Sequence, residues 1–241
     1  MSEKDMINGA KNLIWHNLNL NDETISLKAL EYIKTNKSKL ERIFLTKQNN
    51  LKKVYFMAGS PGAGKSEIAL ILSENKNIDI FDTDEIRKIC PNYSGRNSNL
   101  FQKASSKGID ILIDIAFKKN HSFILDGNFS NYELQDKNIS RAIKRDYEIE
   151  IYFVYRPLEI AKEYTRVREE KMGRKIPSNI FYQKFLDAIE TVNEIAKKYK
   201  DIKITFFDLH KDYYKQIDNL DEIINNNSDF INDINLALKM K

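Results

Sequence analysis

Residues 57–69, MAGSPGAGKSEIA, hold three of the eight glycines in the chain and decide its fold. The core of this stretch is Gly59-Ser60-Pro61-Gly62-Ala63-Gly64-Lys65-Ser66, which fits the pattern G-x-x-x-x-G-K-[ST]. Glycines let successive backbone N–H groups curl around a phosphate without Cβ clashes. The apolar run before the loop reads as a buried strand. SEIALILSEN after it reads as a helix whose positive end faces the same anion. Lys65 then reaches the β- and γ-phosphates, and the Ser66 hydroxyl is a ligand for Mg²⁺. The whole octapeptide is therefore expected to bind a nucleoside triphosphate, ATP or GTP.

Outward from the loop the pattern alternates. KVYFMAG, IDIFDTD, SFILDGN, EIEIYFVY and IKITFFD are apolar runs of strand length, separated by helical segments. NLFQKASSKGIDILIDIAFKKN reads as a long amphipathic helix, PLEIAKEYTRVREEK as a helix with Pro157 in its first turn, and two helices are expected after the fifth strand. Continuous apolar strands between helices imply a parallel sheet covered on both faces. The fold class is α/β: a three-layer α/β/α architecture of the P-loop NTPase type, with a mostly parallel five-stranded sheet. Residues 1–50 differ, with apolar spacing of three and four and a break near residues 20–22. They predict a helical extension of two helices, the second capped around Asp22 or Thr24. The chain thus divides into an extension, 1–50, and a P-loop domain, 51–241.

Composition narrows the function classes. The 241 residues are 41% hydrophobic and 31% charged, with a net charge of +4. Acids and bases are interleaved and no basic run exceeds three residues, which argues against a nucleic-acid partner. The single cysteine, Cys90, permits no intrachain disulfide and fits a reducing compartment. The first residues lack a signal-peptide apolar core, and no stretch approaches the roughly 20 apolar residues of a membrane span. The expected location is the cytoplasm, with no membrane partner. His16, His121 and His210 sit in unrelated contexts and do not read as a metal site.

Three further blocks carry chemistry. Asp82 and Asp84 end the second strand, where ligands of open parallel sheets bind. One acid is expected to act as a base, and Asp84 lies further toward the crevice. The other reading is that Asp82 or Thr83 caps the next helix. Asp126 ends the third strand, beside the loop if the strands are neighbours, where it suits Mg²⁺ or a substrate hydroxyl. EYTRVREEKMGRKIP brings Arg166, Arg168, Lys171, Arg174 and Lys175 onto and after a helix, a lid-like source of positive charge for a migrating phosphoryl group.

Together GSPGAGKS, FDTDEIR, FILDGNFS and RVREEKMGRKIP, in this order over Val54–Phe207, resemble the zeta toxin family of P-loop kinases. That family phosphorylates the 3′-hydroxyl of the amino sugar in UDP-N-acetylglucosamine with ATP and Mg²⁺, which poisons peptidoglycan precursor supply. The resemblance implies that Asp84 is the general base and that Lys65 and Ser66 hold the triphosphate and metal. It implies that Arg168 and Arg174 grip the phosphates. It places Asp126 near metal and substrate, and Asp110 and Asn128 at substrate-binding positions. It also implies an antitoxin partner. Asp110 and Asp126 are one methylene shorter than the usual Glu, and Ser130 stands where an Arg often touches the uridine diphosphate. The phosphoryl-transfer set is intact while the acceptor set is altered. Alternatives are a kinase acting on an antibiotic, nucleoside or polynucleotide hydroxyl, and a regulatory module that holds nucleotide without turnover. The extension is either a packing layer or a built-in inhibitory segment.

Overall fold

A computed structural model describes residues 21–49, 51–173 and 176–241. Each of the five apolar runs forms a strand: β1 (Lys53–Ala58), β2 (Asp79–Asp82), β3 (Phe123–Asp126), β4 (Glu148–Tyr155) and β5 (Lys203–Asp208). A sixth, β6 (Tyr213–Ile217), pairs antiparallel with β5, whereas β1 to β5 are parallel. The order is β2-β3-β1-β4-β5-β6, so the expected five strands are corrected to six. Four of the five residues of β6 are exposed and only Ile217 is buried. Such an edge strand carries neither an apolar run nor a clean alternation, the two signals by which a strand is read.

Helices fill the connections. The extension contributes α1 (Asp22–Thr35) and α2 (Lys37–Phe44). After β1 comes α3 (Lys65–Lys76), and after β2 come α4 (Thr83–Lys88) and α5 (Gln102–Lys118). β3 leads into α6 (Tyr132–Ile143), and β4 into α7 (Leu158–Met172) and α8 (Ser178–Lys198). Two helices, α9 (Asp221–Ile224) and α10 (Ser228–Met240), follow β6. Among the described residues no helix is long and apolar enough to cross a membrane.

Alternation along β1 shows how the layers form. Tyr55 and Met57 enter one cluster with Ala69 and Leu72 of α3, whereas Val54, Phe56 and Ala58 enter a larger cluster on the other face. Both faces are thereby covered, as the continuous apolar strands require. Ala29 and Ile33 of α1 and Leu40 and Phe44 of α2 belong to the larger cluster. α1 is capped one residue earlier than expected, by the Asn21 side chain accepting from Thr24 N at 2.8 Å. The first helix expected in the extension lies outside the described residues. The segment after α2 is clasped by buried Asp79, which accepts from Thr46 N, Thr46 Oγ1 and Lys47 N at 3.0, 2.9 and 3.1 Å.

Strand order is what positions the site. β1 is flanked by β3 and β4, and Asp82 is in register with Asp126 across β2 and β3. The carboxyl ends of these strands therefore gather the loop and the acids on one edge of the sheet.

Candidate active site

The loop Gly59–Ser66 turns sharply between β1 and α3. Gly59 and Gly62 have φ of 126° and 74°, in the left-handed region that side chains avoid. A Cβ on Gly59 would overlap Val154 O of β4, and one on Gly62 would overlap Ala161 O of α7. Here glycine is dictated by conformation and by close backbone approach alike. Lys65 is buried at the start of α3, and its Nζ donates to Ser60 O at 2.6 Å and Gly59 O at 3.2 Å. Burial pulls its pKa down to about 8, against the opposing pull of Asp126. An ammonium held this way, among the N–H groups of a helix start, is matched to an incoming anion.

Ser66 Oγ donates to Asp126 Oδ2 at 2.7 Å, so the acid at the end of β3 does stand beside the loop. Burial raises the Asp126 carboxyl, while the Ser66 hydrogen bond and the charges of Lys65 and Arg168 act the other way. A hydroxyl and a carboxylate oxygen side by side are the hard donors that Mg²⁺ takes when substrate phosphates complete its shell. The residues present fit that ion.

Asp82 and Asp84 divide two roles that compete in the sequence. Asp82 is the helix cap: its Oδ1 accepts from Asp84 N at 2.8 Å at the start of α4. Burial raises its carboxyl to about 7, and the neighbouring Asp84 and Asp126 charges add to that effect. Among the described residues, Asp84 pairs with two guanidinium groups. Arg168 Nη2 of α7 lies 2.6 Å from its Oδ2, and Arg87 Nη1 donates to its Oδ1. Arg87 is only 2% exposed, and its Nη2 donates to Gln102 Oε1 at 2.6 Å. Arg87 and Gln102 have no assigned role in the sequence reading. The signal for Arg87 is its i,i+3 spacing from Asp84, one helical turn away. Gln102 has no sequence signal, since α5 brings it in from a distant segment.

Other expected residues fall further out. Asn128 abuts the loop through its backbone, its carbonyl accepting from Gly59 N at 3.3 Å. Asp110 lies on α5 about 12 Å along the helix axis from Gln102. Its Oδ1 is 3.5 Å from Lys137 Nζ and 3.3 Å from Arg141 Nη1, both on α6. Arg166 pairs with Glu163 and Glu170 on the exposed face of α7, which is the solvated-face arrangement rather than a site. Arg174 and Lys175 lie outside the described residues. The structure thus brings together the loop, Lys65, Ser66, Asp126, Asp84 and Arg168, and adds Arg87.

Comparison with known proteins bears on the family and the fold. The family model described as Zeta toxin matches residues 36–229. No curated protein matches the chain. Among solved structures, a chain from the PezAT chromosomal toxin–antitoxin system of Streptococcus pneumoniae superposes with a TM-score of 0.68 at 15% identity, over 87% of this chain and 95% of that one. The AvrRxo1-ORF1:AvrRxo1-ORF2 complex with sulphate ions gives a TM-score of 0.50 at 13% identity, over 80% of this chain and 65% of that one. At these identities the likeness shows a shared fold.

Proposed function

We propose, from the premise that the chain belongs to the zeta toxin family, that it is an ATP- and Mg²⁺-dependent kinase acting as a toxin, with the 3′-hydroxyl of UDP-N-acetylglucosamine as acceptor and Asp84 as general base. One observation carries the reading: a carboxylate paired with Arg87 and Arg168 stands on the same sheet edge as a complete phosphate-binding loop. A nucleotide-holding module without turnover has no need of that carboxylate.

In this mechanism the loop N–H groups and Lys65 hold the β- and γ-phosphates. Ser66 and Asp126 would hold Mg²⁺, which supplies charge neutralisation on those phosphates. Asp84 accepts the proton of the acceptor hydroxyl as that oxygen attacks the γ-phosphorus and the bond to the β–γ bridging oxygen breaks. Arg168 then serves the equatorial oxygens of the migrating group. Arg174, by family resemblance, is assigned the same duty. The PezAT system is described as a toxin–antitoxin system, and an antitoxin partner is proposed for this chain by analogy.

A second reading of the acceptor is favoured by one detail. The Asp110 carboxylate is engaged by Lys137 and Arg141 across α5 and α6, so a different hydroxyl acceptor fits the altered set of Asp110, Asn128 and Ser130. Induced expression in bacteria tests the shared core. Growth arrest by the wild type and none by Lys65→Ala supports a toxic kinase, whereas equal arrest by both proteins refutes it. Mass spectrometry of purified protein with ATP, Mg²⁺ and a panel of acceptors then identifies which compound gains a phosphate.

A further inference from the structure

The rim of the loop opposite the catalytic acids carries a residue without an assigned role, Arg156. Building a Cβ on Gly64 would place it 2.5 Å from Leu209 Cδ1, 3.2 Å from Arg156 Nη2 and 3.2 Å from Glu67 Oε2. Arg156 and Leu209 therefore stand directly against the last glycine of the loop. The Arg156 guanidinium carbon is 4.5 Å from the centroid of the Tyr164 ring, and that ring is its one partner among the described residues. Tyr164 itself is 51% exposed on α7. Both members of this stacked pair are fixed to rigid elements, Arg156 following β4 directly and Tyr164 lying within α7.

The direction of the nucleotide follows from the loop. Lys65 reaches the β- and γ-phosphates, while the loop backbone cradles the α- and β-phosphates. Asp84, just after β2, and Asp126, at the end of β3, lie on one side of β1, whereas Arg156 and Leu209 follow β4 and β5 on the other side. Arg168 and Asp126 mark the γ-phosphate end, beside Asp84. The nucleoside leaves at the other end, past the start of α3, where Gly64 meets Arg156 and Leu209.

We infer that Arg156, backed by Tyr164 and bordered by Leu209, is the platform on which the purine base of the phosphoryl donor stacks. The inference rests on the nucleotide-binding reading given above and names the donor subsite of that same site. A planar cation held by an aromatic ring presents the flat, weakly hydrated surface that recognises a base by its face. Stacking of this kind is indifferent to the pattern of base edges, so ATP and GTP are both accepted.

The test compares Mg²⁺–ATP with Mg²⁺–tripolyphosphate, which has the phosphates and no base, by calorimetric titration of the full chain. Wild-type protein is expected to bind ATP more tightly than tripolyphosphate. Arg156→Ala is expected to weaken ATP about tenfold or more and to leave tripolyphosphate unchanged, and Arg156→Lys fails to restore ATP affinity because an ammonium cannot stack. Tyr164→Ala, on an exposed helix surface where folding is not at risk, reproduces part of the loss. Equal weakening of ATP and tripolyphosphate by Arg156→Ala makes Arg156 a phosphate contact and overturns the platform. Unchanged ATP affinity in both variants overturns it as well. A wild-type protein that binds neither ligand refutes the underlying nucleotide-binding reading instead.

Discussion

Arg168 Nη2 sits 2.6 Å from Asp84 Oδ2, so a guanidinium from α7 caps the carboxylate assigned as base. The two side chains differ in exposure, 48% for Arg168 and 13% for Asp84. The Arg168 cap is therefore exchangeable, whereas Arg87 grips the other oxygen from inside the core. Phosphate oxygens offer an arginine the same charge-assisted, bidentate pairing as a carboxylate, and Asp84 already accepts from Arg87. In the proposed reaction, nucleotide binding would draw Arg168 from Asp84 toward the phosphates.

Arg168→Ala is expected to lower kcat by about 10³-fold or more, the scale of an arginine that stabilises phosphoryl transfer. Its stability cost is within about 1 kcal/mol, as for exposed ion pairs. Steady-state kinetics together with urea unfolding check both. A tenfold or smaller loss of kcat removes Arg168 from phosphoryl transfer.

Asp84→Asn keeps the shape of the side chain and removes the proton acceptor. It is expected to lower turnover by about 10²–10⁴-fold with ATP affinity retained, read by calorimetry on the same sample. Turnover equal to wild type shows that another group takes the proton.

Arg87→Ala leaves Asp84 and Gln102 without their buried donor. Breaking one side of a buried pair costs about 3–5 kcal/mol, so the urea midpoint falls far more than for Arg168→Ala. Equal effects of the two substitutions contradict the division into a fixed and an exchangeable arginine.

Asp79 gives a pH prediction remote from the catalytic edge. Burial opposes its ionisation, but hydrogen bonds from His121, Lys47 and Thr46 outweigh burial and hold the carboxyl below the usual carboxylate range. A group depressed in the folded state contributes stability that is present above its unfolded pKa, about 3.9. That contribution is lost as pH falls through the lower folded value. Asp79→Asn is expected to cost about 1–3 kcal/mol at pH 7 and to flatten the acid limb of a stability–pH curve. An unaltered acid limb rejects the clasp.

The sequence was most legible where burial was continuous. β1 is buried from Val54 to Ala58 and β4 over its last three residues, whereas β2 and β5 alternate buried with more exposed positions. β6 was not legible, since an edge strand whose side chains are mostly in water has no pattern of its own. At the site, the loop could be read in full because its function needs glycine at fixed spacing. Asp82 and Asp84 could not be separated by spacing, since a helix cap and a catalytic acid both favour Asp at a strand end; the bond from Asp84 N to the Asp82 carboxylate assigns the cap to Asp82. Arg87 stands apart from the basic cluster on α7, one member of which, Arg166, is spent on surface carboxylates.

Transfer of label from [γ-³²P]ATP to UDP-N-acetylglucosamine in the presence of Mg²⁺ tests the central claim most directly. The account predicts that wild-type protein moves the label onto the sugar, and that neither Lys65→Ala nor Asp84→Asn does so at a comparable rate. Label that stays on ATP, or is released only as inorganic phosphate, with the wild-type protein and this acceptor contradicts the proposed reaction.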